Sequence, residues 1–383
     1  MTSERLGRAR PAAVLSFSPD SGLAGAERAL LALATGLRGR GIDFRVVCAA
    51  PGGLADHLTD AGFTVFQAPA WPAQSRRRRS PIRFLRWRLA QVAAVTRAIV
   101  ACQPEVIHVN AAGGALAAVI ARRRVAPSVP VVVHLRHLYR DRLACLGFPS
   151  VDRIIAVSEA ARSALPTAWR RRTVVVYDGV RLPAAAVERR PPAGGPSIVI
   201  AARVAADKGH DILLDALERL AVRGLRVRVT MTLEASPDRA VAVYRRRVLD
   251  RAATSPGVIT VPWTHDVSSL LAGHDVVVVP SRCEAFGTVA VEAMAVGTPV
   301  VASRVGGLQE TVVHEVSGLL VEPGDPAALA AALERLLGDP VLWLNLSRGG
   351  VERSRRFTTE ATTTGVLGEL ETVRLRARRR SSP

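Results

Sequence analysis

Residues 276–325 read VVVVPSRCEAFGTVAVEAMAVGTPVVASRVGGLQETVVHEVSGLLVEPGD. The opening valine run shows no polar alternation, the pattern of a strand buried on both faces, as in parallel sheets covered by helices. It leads into a loop holding Glu284 and Gly287, and the spacing predicts a helix from about Thr288 that carries Glu292. A second buried strand, Pro299–Ser303, follows, and the pair Gly306–Gly307 comes directly after it. Strand, loop, helix and parallel strand make a βαβ unit, and ligands of such sheets sit at the carboxyl ends of the strands. Free N–H groups at the helix start favour a phosphate there. Two carboxylates eight residues apart reach such a site from different depths, and both could accept hydrogen bonds from sugar hydroxyls. Spacing alone equally allows a surface helix with solvated glutamates and turn glycines.

The alternation extends in both directions. Before it come strands at Ala12–Phe17, Phe44–Ala49, Val106–Val109, Val129–His134, Ile154–Val157 and Val174–Val176, with helices at Ala24–Leu37 and Leu54–Ala61. The stretch Pro183–Pro196 is rich in Pro and Gly and reads as a linker. Beyond it the pattern restarts with strands at Ser197–Ala202, Val227–Thr232, Val258–Val261 and Val276–Pro280, and an amphipathic helix at Asp211–Arg223. Asp325 precedes Pro326–Leu337 as an N-cap before a proline at the first helical position. Two further helices, Val341–Arg356 and Thr359–Arg374, end in a basic segment expected to fray. The expected architecture is α/β: a Rossmann-like domain over 11–182, a linker over 183–196, a second over 197–340, helices over 341–375 and a tail over 376–383.

Composition narrows the function. A chain of 383 residues exceeds one ordinary core. The net charge of +19 would ordinarily suggest a polyanionic partner. Of 52 basic residues, however, only Lys208 is lysine, and Asn occurs only at 110 and 345, so much of the excess reads as a compositional bias toward arginine. Aromatic residues are only 4%, and no helix-turn-helix, RRM or zinc spacing appears, which argues against a nucleic-acid-binding protein. The first strand–helix turn, SPDSGLAGAE, lacks G-x-G-x-x-G, which disfavours a dinucleotide dehydrogenase. The cysteines at 48, 102, 145 and 283 have no CxxC spacing, so neither a zinc site nor a disulfide framework is indicated. The N-terminal residues lack the apolar core of a signal peptide, so a cytoplasmic location is expected.

The quoted segment resembles the donor-site signature of the retaining GT-B glycosyltransferases of family 4. Glu284 and Glu292 match its paired glutamates, Glu292–Ser303 its E-A-M-A-x-G-x-P-V-V-A-S run, and Gly306–Glu310 its Gly-Gly-x-x-E loop. Ala24–Arg28 is similar to the family's N-terminal glycine loop, Val157–Ser158 and Asp178–Val180 to its V-S and N-G-V landmarks, and Arg203 with Lys208 to its basic pair. The resemblance implies two domains facing a central cleft, the first on the acceptor side and the C-terminal helices returning to it. It implies transfer of a hexose-type sugar, with retention, from a GDP- or UDP-linked donor to a hydroxyl of a saccharide, lipid-linked or small-molecule acceptor. Arg203 and Lys208 would bind the diphosphate and stabilise the leaving charge. Thr288 would hold the distal phosphate; Glu284, with the backbone of Phe286 and Gly287, the sugar; Glu292 the ribose; and Val261–Thr264 the base. Among first-domain histidines His134 is preferred as the catalytic group over His108 and His137. Gly25 leaves room at the first helix start, and Asn110 and His108 are the acceptor-side candidates. No cofactor and no metal is expected, since no D-x-D motif adjoins the signature. A nucleotide-sugar epimerase of the same fold is the competing reading.

Three departures stand out. Asp178 replaces the usual Asn, Ala285 stands where Gly is frequent, and MTLEASPD (residues 231–238) lacks the common G-x-G-P loop. One charged segment remains outside the donor signature. Ser75–Arg88 (SRRRRSPIRFLRWR) mixes basic and aromatic residues before an apolar helix, which suits either an anionic membrane surface or a solvated loop.

Overall fold

The computed structural model describes residues 12–20, 22–69, 81–138, 145–184, 188–233, 239–264 and 266–381. Strands β1 (Ala13–Ser18), β2 (Asp43–Ala49), β3 (Val65–Ala68), β4 (Val106–Val109), β5 (Val131–Leu135), β6 (Arg153–Ala156) and β7 (Thr173–Val175) form one sheet in the order 3-2-1-4-5-6-7. Strands β8 (Ser197–Ile200), β9 (Arg228–Leu233), β10 (Val258–Pro262), β11 (Val276–Val279), β12 (Val300–Ser303) and β13 (Leu319–Val321) form a second in the order 10-9-8-11-12-13. All pairings in both sheets are parallel. That is why the strands are apolar on both faces: Leu15, Val47, Ile107, Val133, Val277 and Val300 are all fully buried under crossover helices.

In the first half these helices are α1 (Gly25–Gly39), α2 (Gly53–Asp60), α3 (Pro81–Cys102), α4 (Ala115–Val125), α5 (Glu159–Ser163) and α6 (Thr167–Arg170). The second half carries α7 (His210–Val222), α8 (Arg239–Thr254), α9 (Val267–Ala272), α10 (Thr288–Ala295), α11 (Leu308–Thr311) and α12 (Pro326–Gly338). Asp325 caps α12 as expected, accepting from Ala327 N at 2.8 Å and Ala328 N at 3.0 Å. In each sheet the strand order reverses beside the first strand, between β1 and β4 and between β8 and β11. The loops leaving those strand pairs diverge and open a crevice, and the segment read first from sequence sits at the second of them.

Two strands escaped the sequence reading. β3 (VFQA) and β13 (LLV) are edge strands of four and three residues. The C-terminal helices return to the first domain, as the resemblance implied, but the last one runs further than expected. After α13 (Pro340–Ser354) the chain crosses back, with Val180 N donating to Phe357 O at 2.9 Å and Thr359 N to Val180 O at 3.2 Å. The last helix, α14 (Thr359–Ser381), then packs Val366, Leu370 and Val373 against Leu30, Leu33 and Leu37 of α1. It does not fray at Arg374. Arg374 and Arg378, one turn apart, both pair with Glu105 of the first domain, and a basic last turn suits the helix dipole.

Candidate functional site

Neighbouring strands β8 and β11 deliver the two loops that matter in the second domain. The loop after β8 ends in a short 3-10 turn, Ala206–Lys208, and Lys208 Nζ lies 2.7 Å from Glu284 Oε2 on the loop after β11. Arg282 clamps the two loops together. Its guanidinium donates twice to Asp211 at 2.8 Å and to Ala206 O at 2.9 Å, while its own N–H reaches Asp207 O at 2.8 Å. Burial opposes ionisation of Asp211, but hydrogen bonds from Arg282 and Tyr244 hold its carboxyl down to about 2, so the clamp stays charged at neutral pH. Arg203 is exposed and pairs with Asp207 at 3.0 Å.

Gly287 has φ +92° and precedes α10 without a side-chain cap, leaving the first-turn N–H groups uncovered by any cap residue. Gly306, at φ +47°, lies under the Glu284 loop so closely that a Cβ there would come within 1.9 Å of Glu284 O. Thr288 is half-buried at the start of α10. Glu292, further along the same helix, is buried, and one of its oxygens pairs with Arg28 of the first domain. Its other oxygen is buried without a partner among the described residues, and burial raises its pKa. Trp263, in the Val261–Thr264 stretch, likewise has a buried indole N–H with no partner among the described residues.

The first domain contributes a buried polar chain. Ser16 Oγ lies 2.9 Å from His108 Nδ1, His108 Nε2 lies 3.4 Å from His134 Nδ1, and Arg136 Nη2 lies 3.3 Å from the same His134 nitrogen. A guanidinium only donates, so His134 Nδ1 accepts and its proton sits on Nε2, which is buried and unpartnered among the described residues. Both histidines are fully buried. Burial, followed by the Arg136 charge, holds His108 down to about 3 and His134 well below the usual range. Asn110 is also fully buried, accepting from Arg136 Nε at 3.0 Å and donating to Ala26 O at 3.3 Å. Arg136 completes its contacts by pairing with Asp178. The departure at 178 thereby gains a reason: a guanidinium buried at this place needs a counter-charge, which Asn would not supply.

His134, His108 and Asn110 therefore lie beneath the cleft surface, and His137 lies on it. His137 is enclosed by the walls of the cleft yet open to solvent; that enclosure, then Arg203 and Lys208, lowers its pKa, while Glu284 opposes them. Arg203, Lys208, Glu284 and His137 share one electrostatic site although they come from different domains. Gly25 borders open space, where a Cβ would meet nothing within 4 Å. The sequence reading missed Arg28, Arg136 and Glu27. Glu27 is buried in the first turn of α1, and burial together with the Asp20 charge pushes its carboxyl up to about 7. Only its place beside Gly25 in the glycine-loop motif could have drawn notice. Residues 75–80 and 234–238, which carry part of the basic segment and of MTLEASPD, lie outside the described residues.

Two parallel-sheet domains with loops converging on a cation–carboxylate pair at the second switch point define a two-domain Rossmann-like α/β protein with a candidate ligand site at its strand ends. The comparisons agree: the model for Glycosyltransferase Family 4 matches residues 23–182 and that for Glycosyl transferases group 1 matches residues 195–339. The chain belongs to this glycosyltransferase family. It is 34% identical over 235 residues, 59% of this chain and 54% of the relative, to D-inositol 3-phosphate glycosyltransferase of Saccharomonospora viridis. The chain thus spans about half the length of the curated relatives it matches. Its fold is the GT-B fold of Anabaena HepE, solved in complex with UDP and glucose (TM-score 0.78, 23% identity, 94% of this chain and 100% of that one). Sucrose-phosphate synthase from Thermosynechococcus elongatus is similar to the same degree (TM-score 0.78, 23% identity, 94% and 98% covered).

Proposed function

We propose that the chain is a retaining glycosyltransferase that moves a hexose-type sugar from a GDP- or UDP-linked donor to a hydroxyl of a saccharide, lipid-linked or small-molecule acceptor. The observation that carries this reading is the convergence of Arg203, Lys208 and Glu284 with His137 in the cleft. Arg203 and Lys208 bind the donor diphosphate and stabilise the charge it gains as the anomeric C–O bond breaks. On donor arrival Lys208 exchanges its Glu284 partner for a phosphate oxygen, which frees the carboxylate to accept from sugar hydroxyls alongside the backbone of Phe286 and Gly287. Thr288 and the uncapped N–H groups of α10 hold the distal phosphate. Glu292 offers its unpartnered oxygen to the ribose, the base lies against Val261–Thr264, and Gly25 leaves the space the donor and acceptor need.

His137, rather than His134, faces the sugar. A neutral imidazole at neutral pH donates or accepts a hydrogen bond there without adding repulsion to the two cations. The acceptor oxygen bonds to the anomeric carbon on the face the phosphate leaves, and its proton passes to the leaving phosphate oxygen. The cations supply the electrostatic stabilisation, so no metal and no cofactor is assigned a part. HepE, solved with UDP and glucose, and a relative named for glycosyl transfer to D-inositol 3-phosphate support donor and acceptor classes of this kind. Incubation with UDP- and GDP-hexoses, with and without acceptor, tests the reading: acceptor-dependent release of nucleoside diphosphate is expected. Acceptor-independent conversion of the sugar would instead identify an epimerase.

Part of the basic segment suits a membrane surface. On α3, Ile82, Leu85 and Leu89 form an exposed apolar stripe with Arg83 and Arg86 beside it, whereas Val92, Val95 and Ile99 pack inward. Arg88 turns inward as well, donating to Gly113 O at 2.9 Å. A stripe of this kind fits the interface of an anionic bilayer, which would place a cytoplasmic enzyme at the inner face of the membrane.

A further inference from the structure

The loop carrying Glu284 is gripped from both domains. Beneath it, within its own domain, Gly307 N donates to Glu284 O at 3.1 Å. Facing it, Ser158 Oγ of the first domain donates to Ala285 O at 2.5 Å, and the same oxygen accepts from Ala161 N at 3.0 Å. Phe286 packs against Tyr177 of the first domain and Phe357 of the crossover, with ring centroids 6.3 and 5.6 Å apart.

Glu310, on α11 directly after the glycine pair, reaches across to the same region. Its Oε2 accepts from Glu159 N at 2.8 Å and from the Tyr177 hydroxyl at 3.0 Å, and its Oε1 accepts from Ala160 N at 2.7 Å. The backbone of α11 is fixed in turn by Arg353, which donates to Glu310 O and to Thr311 O and lies over the Phe357 ring. One carboxylate thus takes three hydrogen bonds from the opposite domain, one from Tyr177, which touches the loop, and two from the amides that directly follow Ser158, which also touches it. Each sheet is complete without these contacts, so their effect falls on how the domains register.

We propose that Glu310 is a positioning residue for the donor loop, a role that rests on the donor-site assignment above. By holding Glu159, Ala160 and Tyr177, it sets the register in which Ser158 and Tyr177 meet Ala285 and Phe286. The loop's grip on the donor then depends on docking of the first domain, which couples the donor half of the cleft to the acceptor half. Glu310 itself touches no reacting atom.

The test uses the full chain with Glu310→Ala and Glu310→Gln. Calorimetric titration with UDP and GDP gives donor-site affinity, steady-state kinetics give KM and kcat, small-angle scattering gives domain registration, and thermal unfolding shows that each variant folds. In Glu310→Ala the nucleoside diphosphate that binds the wild type is expected to bind about tenfold more weakly. Donor KM rises by the same factor, kcat at saturating donor stays within about threefold, and the radius of gyration increases. Glu310→Gln keeps an acceptor oxygen for only one amide and falls between. A folded Glu310→Ala with unchanged affinity and an unchanged scattering profile would overturn the proposal, as would lost stability with unaltered affinity. Were the wild type to bind neither UDP nor GDP, the donor assignment would fail and this role with it. The scattering difference would then report the tether alone.

Discussion

Lys208 is the cation of the cleft pair with Glu284, and Glu27 is a carboxyl buried in the first turn of α1. Lys208→Ala removes the compact cation of the Glu284 pair, and the loss of one charge-assisted contact corresponds to roughly 2 kcal/mol, or about 30-fold weaker nucleoside diphosphate binding. Isothermal titration measures it directly. His137→Ala is expected to lower kcat about 100-fold. His134→Ala, which leaves the buried Arg136 with one partner fewer, is expected to lower the unfolding midpoint in urea instead. Opposite assignments from those two measurements would return the catalytic role to His134. Glu27 makes a prediction in pH. Its carboxyl rises from 4.5 to about 7 on folding, because of burial first and Asp20 second. The folded chain therefore holds a proton between those values that the unfolded chain has lost, and the stability it contributes is complete below pH 4.5 and lost as pH rises through 7. The whole shift corresponds to roughly 3 kcal/mol. Glu27→Gln should flatten that slope, so that wild type and variant differ more at pH 8 than at pH 5 in chemical unfolding.

At the scale of elements, the strand–loop–helix–strand segment was legible because each piece carries its own signal. Val276–Val279 is apolar on both faces, Gly287 and Gly306 are required by positive φ and close approach, and Glu284 and Glu292 recur at family spacing. Gly306→Ala is expected to cost roughly 2–4 kcal/mol, since a methyl would collide with the Glu284 carbonyl in a conformation that already disfavours alanine. Urea unfolding checks it, and a neutral result would mean the loop can yield. What was not legible was which side of a strand end a side chain takes. His134 and His137 differ by three residues, and only the packing of β4 against β5 puts the first beside His108 and leaves the second in the cleft. Likewise Ser75–Arg88 reads as one basic run, but helical geometry divides its second half, turning Arg88 inward and Leu85 outward. Replacing Ile82, Leu85 and Leu89 with serine should abolish co-sedimentation with phosphatidylglycerol vesicles at low salt. Unchanged sedimentation of that variant would remove the membrane reading.

For the molecule as a whole, sequence carried the two-domain plan, because the linker composition and the restart of the βα pattern are local. The contacts between domains were hidden, since nothing local pairs Arg28 with Glu292 or Glu310 with the amides of Glu159 and Ala160. The return of α14 was implied only by resemblance, and its grip on Glu105 through Arg374 and Arg378 shows that part of the arginine excess is structural rather than a display for a polyanion. The single lysine among 52 basic residues is the more telling count, because it stands in the cleft beside Glu284. A thermal-shift series with UDP, GDP, their hexose conjugates and the corresponding monophosphates tests the central claim most directly, since a ligand of the folded site raises Tm by mass action. The account predicts that a nucleoside diphosphate or its sugar raises Tm by several degrees in the wild type, and that Lys208→Ala folds but loses most of the rise. No rise with any of these ligands, or an equal rise in the variant, would contradict it.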